Sequence, residues 1–135
     1  MKASLAQGVT ATSKLTVDRE RTIDFMGEKA RVYATPMLVR DIEVACRDLL
    51  LAHLDPGEDS VGTRIELDHL APTLLGMTVE IAATVTEVKG RAVTLAFEGG
   101  DGIDAICRGR HHRFIVDVKA TEARLAAKAA KAGLA

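Results

Sequence analysis

A carboxylate stands out because it lies where a hydrophobic column is expected. In a helix, Glu43 borders an apolar column that includes Val39 and Cys46. A carboxylate at such a border suits a general base that works near neutral pH. An ion pair with Arg47 or Arg40 on the same helix is the alternative explanation.

A histidine shares the inward face of an aliphatic strand. His69 alternates with Ile65 and Leu67, so the three side chains point the same way. An inward imidazole needs a polar partner. Glu43 is a candidate partner, because the helix that carries it must pack on this sheet. The pair predicts acid–base chemistry, and a satisfied core histidine is the alternative.

A hydroxyl and a glycine accompany these two residues. Thr35 precedes Pro36, which predicts that Thr35 is the N-cap of the helix. A hydroxyl at a helix start also lies in a positive field, beside backbone N–H groups that can hold a carbonyl oxygen. Gly62 stands at the entry of the histidine strand, where it allows a ligand to approach the backbone or simply marks a bend.

A basic cluster occupies the last predicted strand. It suits the phosphates of a nucleotide-like ligand or, equally, a solvated sheet edge; its members are Arg108, Arg110, His111, His112 and Arg113. The adjacent histidines point to opposite faces of a strand and have no spaced Cys/His partners. We therefore predict no metal site, and nothing in the chain implies a cofactor.

The elements that must position these residues follow from hydrophobic periodicity. A helix is predicted from Thr35 to near His53, and its outward side is expected to include Asp41. Alternation and turn residues predict strands over residues 13–18, 61–70, 77–88, 91–97 and 103–118, with a bulge near Gly109, and a C-terminal helix over about 119–133 capped by Thr121. Short turns between successive strands make the sheet antiparallel. The fold class is α+β, with one long helix against the sheet.

Composition narrows the function classes. The 135 residues suit one domain, residues 1–135, and a net charge of −1 without a basic stripe argues against nucleic acid as the partner. Aromatic residues are only 3%, which disfavours base stacking. Cys46 and Cys107 are expected to be buried free thiols. No segment has the length and apolarity of a signal peptide or membrane helix, so we expect a cytoplasmic protein.

These residues together resemble the fluoroacetyl-CoA thioesterase family. The resemblance covers about residues 30–118 and keeps the spacing between the three candidate catalytic residues. It is carried by Thr35, Glu43, Cys46, Pro56 to Glu58, Val61 to Thr63, Asp68 to Thr73, Gly76 to Val79, Gly90 and Arg91, and the stretch from Asp101 through Gly109 to His111 and Arg113.

The resemblance implies a hotdog fold, in which an antiparallel sheet wraps one long helix, and a homodimer with active sites at the subunit interface. It implies hydrolysis of an acyl-CoA by Thr35, Glu43 and His69. The family's acyl-CoA-contacting glycine falls on Gly62, and its CoA-contacting arginine falls on Arg113.

One segment departs from the family pattern. The aromatic-rich lid before the threonine is matched here by residues 24–34, which hold only Phe25 and Tyr33. The acyl group is therefore left open. A hotdog hydratase or dehydratase and a non-catalytic acyl-CoA-binding module are the alternative functions.

Overall fold

The computed structural model describes residues 1–134 as one antiparallel sheet and two α-helices. The strands are β1 (Thr10–Thr16), β2 (Glu58–His69), β3 (Thr78–Lys89), β4 (Ala92–Gly100) and β5 (Ala105–Asp117); the helices are α1 (Thr35–Leu51) and α2 (Val118–Lys131). Two short 3₁₀ turns, Arg19–Arg21 and Glu28–Ala30, lie between β1 and α1.

The sheet order is β1-β3-β4-β5-β2, with antiparallel neighbours throughout. β2 is therefore an edge strand, although it contains both Gly62 and His69. α1 packs against β1, β2 and β3. The predicted α+β hotdog arrangement, a sheet around one long helix, is confirmed.

The core between α1 and the sheet is aliphatic. From α1, Leu38, Ile42 and Cys46 are fully buried. Alternate residues of the three inner strands meet them, among them Val79, Ile81, Val85, Leu95 and Ile115. Burial of these branched side chains contributes on the order of 2 kcal/mol each, which is the main reason that α1 stays on the sheet.

The predicted bulge near Gly109 is wrong. Gly109 pairs in regular register with Leu67 and with Phe97, and the shifts fall elsewhere, one of them between Gly62 and Arg64. Glycine is needed at 109 for space, since a Cβ atom there would lie 1.9 Å from the carbonyl oxygen of Glu66.

The C-terminal helix forms as predicted, but its cap differs. Asp117, not Thr121, caps α2 by accepting a hydrogen bond from the N–H of Ala120 at 2.8 Å. No residue of α2 is buried. Within residues 1–134, no helix is long and apolar enough to cross a membrane.

Candidate functional site

A threonine–histidine pair lies where α1 begins and β2 ends. Thr35 Oγ1 is 2.8 Å from His69 Nδ1. The prediction that Thr35 caps the helix is wrong: Ala34 is the N-cap, and α1 starts at Thr35 without a side-chain cap. Because the hydroxyl is not used for capping, it is available to the imidazole.

His69 has one nitrogen with no partner. Its Nε2 atom is buried and, within the described part of the chain, makes no hydrogen bond. Removal from water lowers the pKa of His69, because burial penalises the charged ring. The imidazole is therefore neutral at neutral pH, and its second nitrogen can exchange a proton with a ligand.

An apolar cleft of about 330 Å³ opens beside this pair. Thr35 and His69 supply polar groups to a wall that is otherwise mainly aliphatic and aromatic. The wall consists of Ile23, Phe25, Val32, Tyr33, Thr35, His69, Leu70, Ala71 and Pro72. Such a surface suits an apolar group whose reactive end meets the two polar side chains.

A partly buried ion pair fixes the segment that forms one wall of the cleft. Asp41 accepts two hydrogen bonds from Arg21, at 2.9 and 3.1 Å, and a short one from the Tyr33 hydroxyl. Burial and the adjacent carboxylate raise the pKa of Tyr33. Asp41 was predicted to face outward and is instead buried, because these two residues satisfy its carboxylate.

Glu43 lies against a different part of β2. Its carboxylate approaches the backbone so closely that a Cβ atom on Gly62 would lie 2.5 Å from Oε1. The side chain is 43% exposed, so it is open to water on one side. Gly62 therefore provides the space in which this carboxylate lies.

Two buried β5 residues complete the surroundings of Glu43. His111 is fully buried, with Nε2 3.8 Å from Glu43 Oε1 and 3.0 Å from Arg113 Nη1. Arg113 also donates to the Ser60 hydroxyl and carbonyl, both at 2.7 Å. The residue pattern placed both only in a basic cluster, and the resemblance added a CoA contact for Arg113. Neither predicted that the two side chains point inward.

The basic cluster does not form one site. His111 and Arg113 point into the core, whereas Arg108 and Arg110 are exposed. His112 lies on the outer side, 3.2 Å from the Thr94 hydroxyl. The five residues do not share one phosphate site, because neighbours on a strand face opposite sides. The exposed Arg108 and Arg110 fit the alternative of a solvated sheet edge.

The predicted pairing of Glu43 with His69 does not form within one chain. His69 bonds to Thr35, and Glu43 approaches His111. Eight residues separate Thr35 from Glu43 on α1, a rise of about 12 Å. Within one chain, the three predicted site residues therefore form two separate groups: the Thr35–His69 pair and the Glu43 seat, which we define as Glu43, Gly62, His111 and Arg113.

Residues 1–134 contain no group of three or more His, Cys, Asp or Glu side chains placed to hold a metal ion. The groups available for chemistry are a neutral imidazole and a hydroxyl at an apolar cleft, and a carboxylate further along α1. A sheet wrapped around one long helix is the hotdog fold, and groups of these types suit an enzyme that acts by proton transfer.

Comparison with known proteins agrees. Residues 17–119 match the model of the fluoroacetyl-CoA-specific thioesterase family. The fluoroacetyl-CoA thioesterase of Streptantibioticus cattleyicolor is 30% identical over 135 residues, covering 95% of this chain and 97% of the relative. The chain belongs to the fluoroacetyl-CoA-specific thioesterase family.

Solved structures resemble the chain over nearly its whole length. A variant fluoroacetyl-CoA-specific thioesterase in complex with fluoroacetate and CoA aligns with a TM-score of 0.80 at 30% identity, covering 87% of this chain and 99% of that one. A Thermus thermophilus thioesterase superfamily member aligns with a TM-score of 0.87 at 28% identity, covering 97% and 98%. The protein is a thioester hydrolase that acts on acyl-CoA.

Proposed function

We propose that Thr35, Glu43 and His69 carry out the hydrolysis of an acyl-CoA to the free acid and CoA. The observation that most supports this is the Thr35–His69 bond of 2.8 Å: it leaves Nε2 buried and without a partner in a histidine that lines an apolar cleft. A free imidazole nitrogen in such a cleft is suited to proton transfer.

In the proposed reaction, the acyl group lies in the cleft and the thioester carbonyl near the start of α1. Glu43 drives the acyl transfer, either as the base that takes a proton from the water attacking the carbonyl carbon or as the attacking carboxylate, whose acyl anhydride water then hydrolyses to the free acid. In both paths the carbon–sulfur bond breaks, and the proton released by water reaches the departing CoA thiolate through His69. Thr35 orients His69 through the bond to Nδ1.

The Glu43 seat and His69 lie too far apart to act on one carbonyl within one chain. Gly62 and His69 are seven residues apart on β2, on the order of 20 Å. We therefore propose a homodimer whose active sites combine Glu43 of one copy with Thr35 and His69 of the other.

The edge position of β2 supports this dimer. Opposed residues of an antiparallel pair have numbers with a constant sum. If two copies of β2 pair around a two-fold axis at Glu66, residues 64 to 68 of the two copies oppose one another with the sum 132. The register shift between Gly62 and Arg64 then lets Gly62 of each copy lie opposite His69 of the other. This register brings the two groups together twice per dimer.

The binding residues follow from the same arrangement. We propose that Gly62 lets the acyl-CoA approach the backbone beside Glu43, and that Arg113, behind this seat, contacts CoA. The cleft favours an apolar acyl group. We also propose that residues 1–135 act as one hotdog domain with one core. Free buried Cys46 and Cys107 support a location in the cytoplasm.

The first experiment follows thiol release from a panel of acyl-CoAs, with wild type beside His69→Ala and Glu43→Gln. The panel runs from acetyl and fluoroacetyl to branched, aromatic and longer chains. Each variant is expected to lose at least about 100-fold in kcat while keeping its melting temperature. Folded variants with near-normal rates would contradict the assignment. Hydration of an enoyl-CoA without thiol release would point to a hydratase instead.

A mixing experiment tests whether the sites are shared. Refolding Glu43→Gln together with His69→Ala yields heterodimers with one intact site, and about a quarter of wild-type activity is expected from random pairing. The matched control mixes His69→Ala with Thr35→Ala, whose side chains pair within one chain, and no gain is expected. Equal results from the two mixtures would rule out the shared site.

A further inference from the structure

His111 lies beside the proposed catalytic carboxylate, but both of its ring nitrogens are occupied. Arg113 Nη1 is a donor with no lone pair, so His111 Nε2 must accept its hydrogen bond at 3.0 Å. The proton therefore resides on Nδ1, which donates to the carbonyl of Arg64 at 2.9 Å. These contacts fix both the tautomer and the orientation of the ring.

The same contacts hold a buried guanidinium in place. Arg113 is 5% exposed and donates to Ser60 Oγ, the Ser60 carbonyl and His111 Nε2. A Cβ atom on Gly62 would lie 3.5 Å from Arg113 Nη1 and 2.5 Å from Glu43 Oε1, so the cation and the carboxylate flank the same spot.

Glu43 and Arg113 nevertheless form no ion pair. Among residues 1–134, the basic side chain within 4 Å of the Glu43 carboxylate is that of His111, whose Nε2 lies 3.8 Å from Oε1. A carboxylate bound directly to a guanidinium has its electron pairs engaged and is a poor base or nucleophile. Nη1 carries two hydrogens, and the bond from one of them to His111 Nε2 at 3.0 Å fixes the position of this group away from the Glu43 carboxylate.

We propose that His111 is a positioning residue: its Nε2 atom holds Nη1 of Arg113 away from Glu43, so that the Glu43 carboxylate stays over Gly62 and free to act on the thioester. This inference rests on the proposed role of Glu43 in hydrolysis. His111 itself exchanges no proton with the substrate, because it has no free nitrogen.

Two isosteric variants separate this role from mere packing. The amide of His111→Gln reaches the position of Nε2 and keeps an acceptor for Arg113. The amide of His111→Asn reaches the position of Nδ1 and keeps the donor to Arg64, but leaves Arg113 Nη1 without an acceptor. The inference predicts that Asn costs at least about tenfold in kcat and Gln less than about threefold, with KM changed little in both.

A purely structural histidine would not give this split. Equal losses, or a larger loss for Gln, would overturn the proposal while Glu43→Gln still identifies the catalytic carboxylate. His112→Gln, on the outer side of the same strand, is the control and should keep the wild-type rate. Melting temperatures are recorded for all three variants.

A second measurement does not depend on turnover, so it distinguishes failure of this inference from failure of the proposed function. Nitrogen-15 NMR of the histidine rings of the wild-type protein at neutral pH should find His111 neutral, with its proton on Nδ1. A proton on Nε2, or a charged ring, would overturn the proposal even if no acyl-CoA were hydrolysed.

Discussion

Helix α1 meets a histidine of the sheet at two places, and the two histidines are held in opposite ways. At the start of the helix, His69 has one hydrogen bond, to Thr35, and a free Nε2 beside an open cleft. Two turns further on, His111 is fully buried and both of its nitrogens are bonded.

The different hydrogen bonds of the two rings suit different roles: proton transfer for His69 and positioning for His111. A ring with a free nitrogen can exchange a proton with a ligand, whereas a ring with two protein partners can only orient them. The contacts of the second histidine also explain why a carboxylate, Glu43, can lie at the border of the apolar face of α1. It approaches His111 on β5 without an ion pair to arginine, and Gly62 on β2 leaves room for it.

The most severe test of the Glu43 seat adds one methyl group. In Gly62→Ala the new Cβ would lie 2.5 Å from Glu43 Oε1, so the carboxylate must leave its position. We expect kcat to fall about 100-fold. The melting temperature should fall less than for Gly109→Ala, because the closest atom is the end of a flexible side chain and the next, His111 Cε1 at 3.1 Å, must yield by only a few tenths of an ångström. Thiol-release kinetics beside thermal unfolding measures both.

Gly109→Ala is the matched control on the neighbouring strand. There the added Cβ meets backbone, 1.9 Å from the Glu66 carbonyl oxygen. We expect a loss of about 1–3 kcal/mol of stability. A Gly62→Ala protein that is as destabilised as Gly109→Ala, or as active as wild type, would remove the distinction between a seat for Glu43 and ordinary close packing.

A smaller loss of kcat than in Gly62→Ala is expected when the hydrogen bond to His69 is removed. Thr35→Val keeps the shape of the side chain but removes the bond to His69 Nδ1, so we expect kcat to fall about tenfold. Thr35→Ser should stay close to wild type. Since Thr35 is not the cap of α1, Thr35→Val should cost well below the ~1 kcal/mol of a lost N-cap. A full capping cost with unchanged kcat would reverse this assignment.

Local pattern was sufficient for the fold and for part of the site. Thr35 and Pro36 predict the start of the helix to within one residue: Pro36 is expected as the first helical residue, and α1 begins at Thr35. Alternation around Ile65, Leu67 and His69 predicted the face of β2 that turns toward the helix. These features depend on residues that are close together in the sequence, and hydrophobic periodicity predicts such local structure well.

Features set by distant partners were not predictable. Asp41 is buried because Arg21, twenty residues earlier in the chain, reaches it. The predicted pairing of Glu43 with His69 had no support beyond the packing of a helix on a sheet, which does not fix where along a strand two side chains meet. The inward direction of His111 and Arg113 required the register of β5, and periodicity alone placed its irregularity at Gly109 instead.

The last comparison of the two histidines uses stability rather than rate. Burial lowers the pKa of both His69 and His111 below the ordinary value of 6.5. Below pH 6.5 the unfolded chain therefore binds protons that the folded chain does not, so stability is full above this pH and is lost as the pH falls. The carboxylates with lowered pKa values, such as Glu28 and Asp59, act only below about pH 4.5.

Urea unfolding at about pH 7.5 and about pH 5.5 separates the histidines from these carboxylates, which stay charged in both the folded and the unfolded chain. For a fully buried ring, the loss is at most about 1.4 kcal/mol per pH unit. His111→Gln should remove more of the difference than His69→Gln, because His111 is fully buried and His69 is not. If the greater share belongs to His69, then His111 accepts a proton more readily than its two bonds allow, and the division between a proton-transferring and a positioning histidine fails.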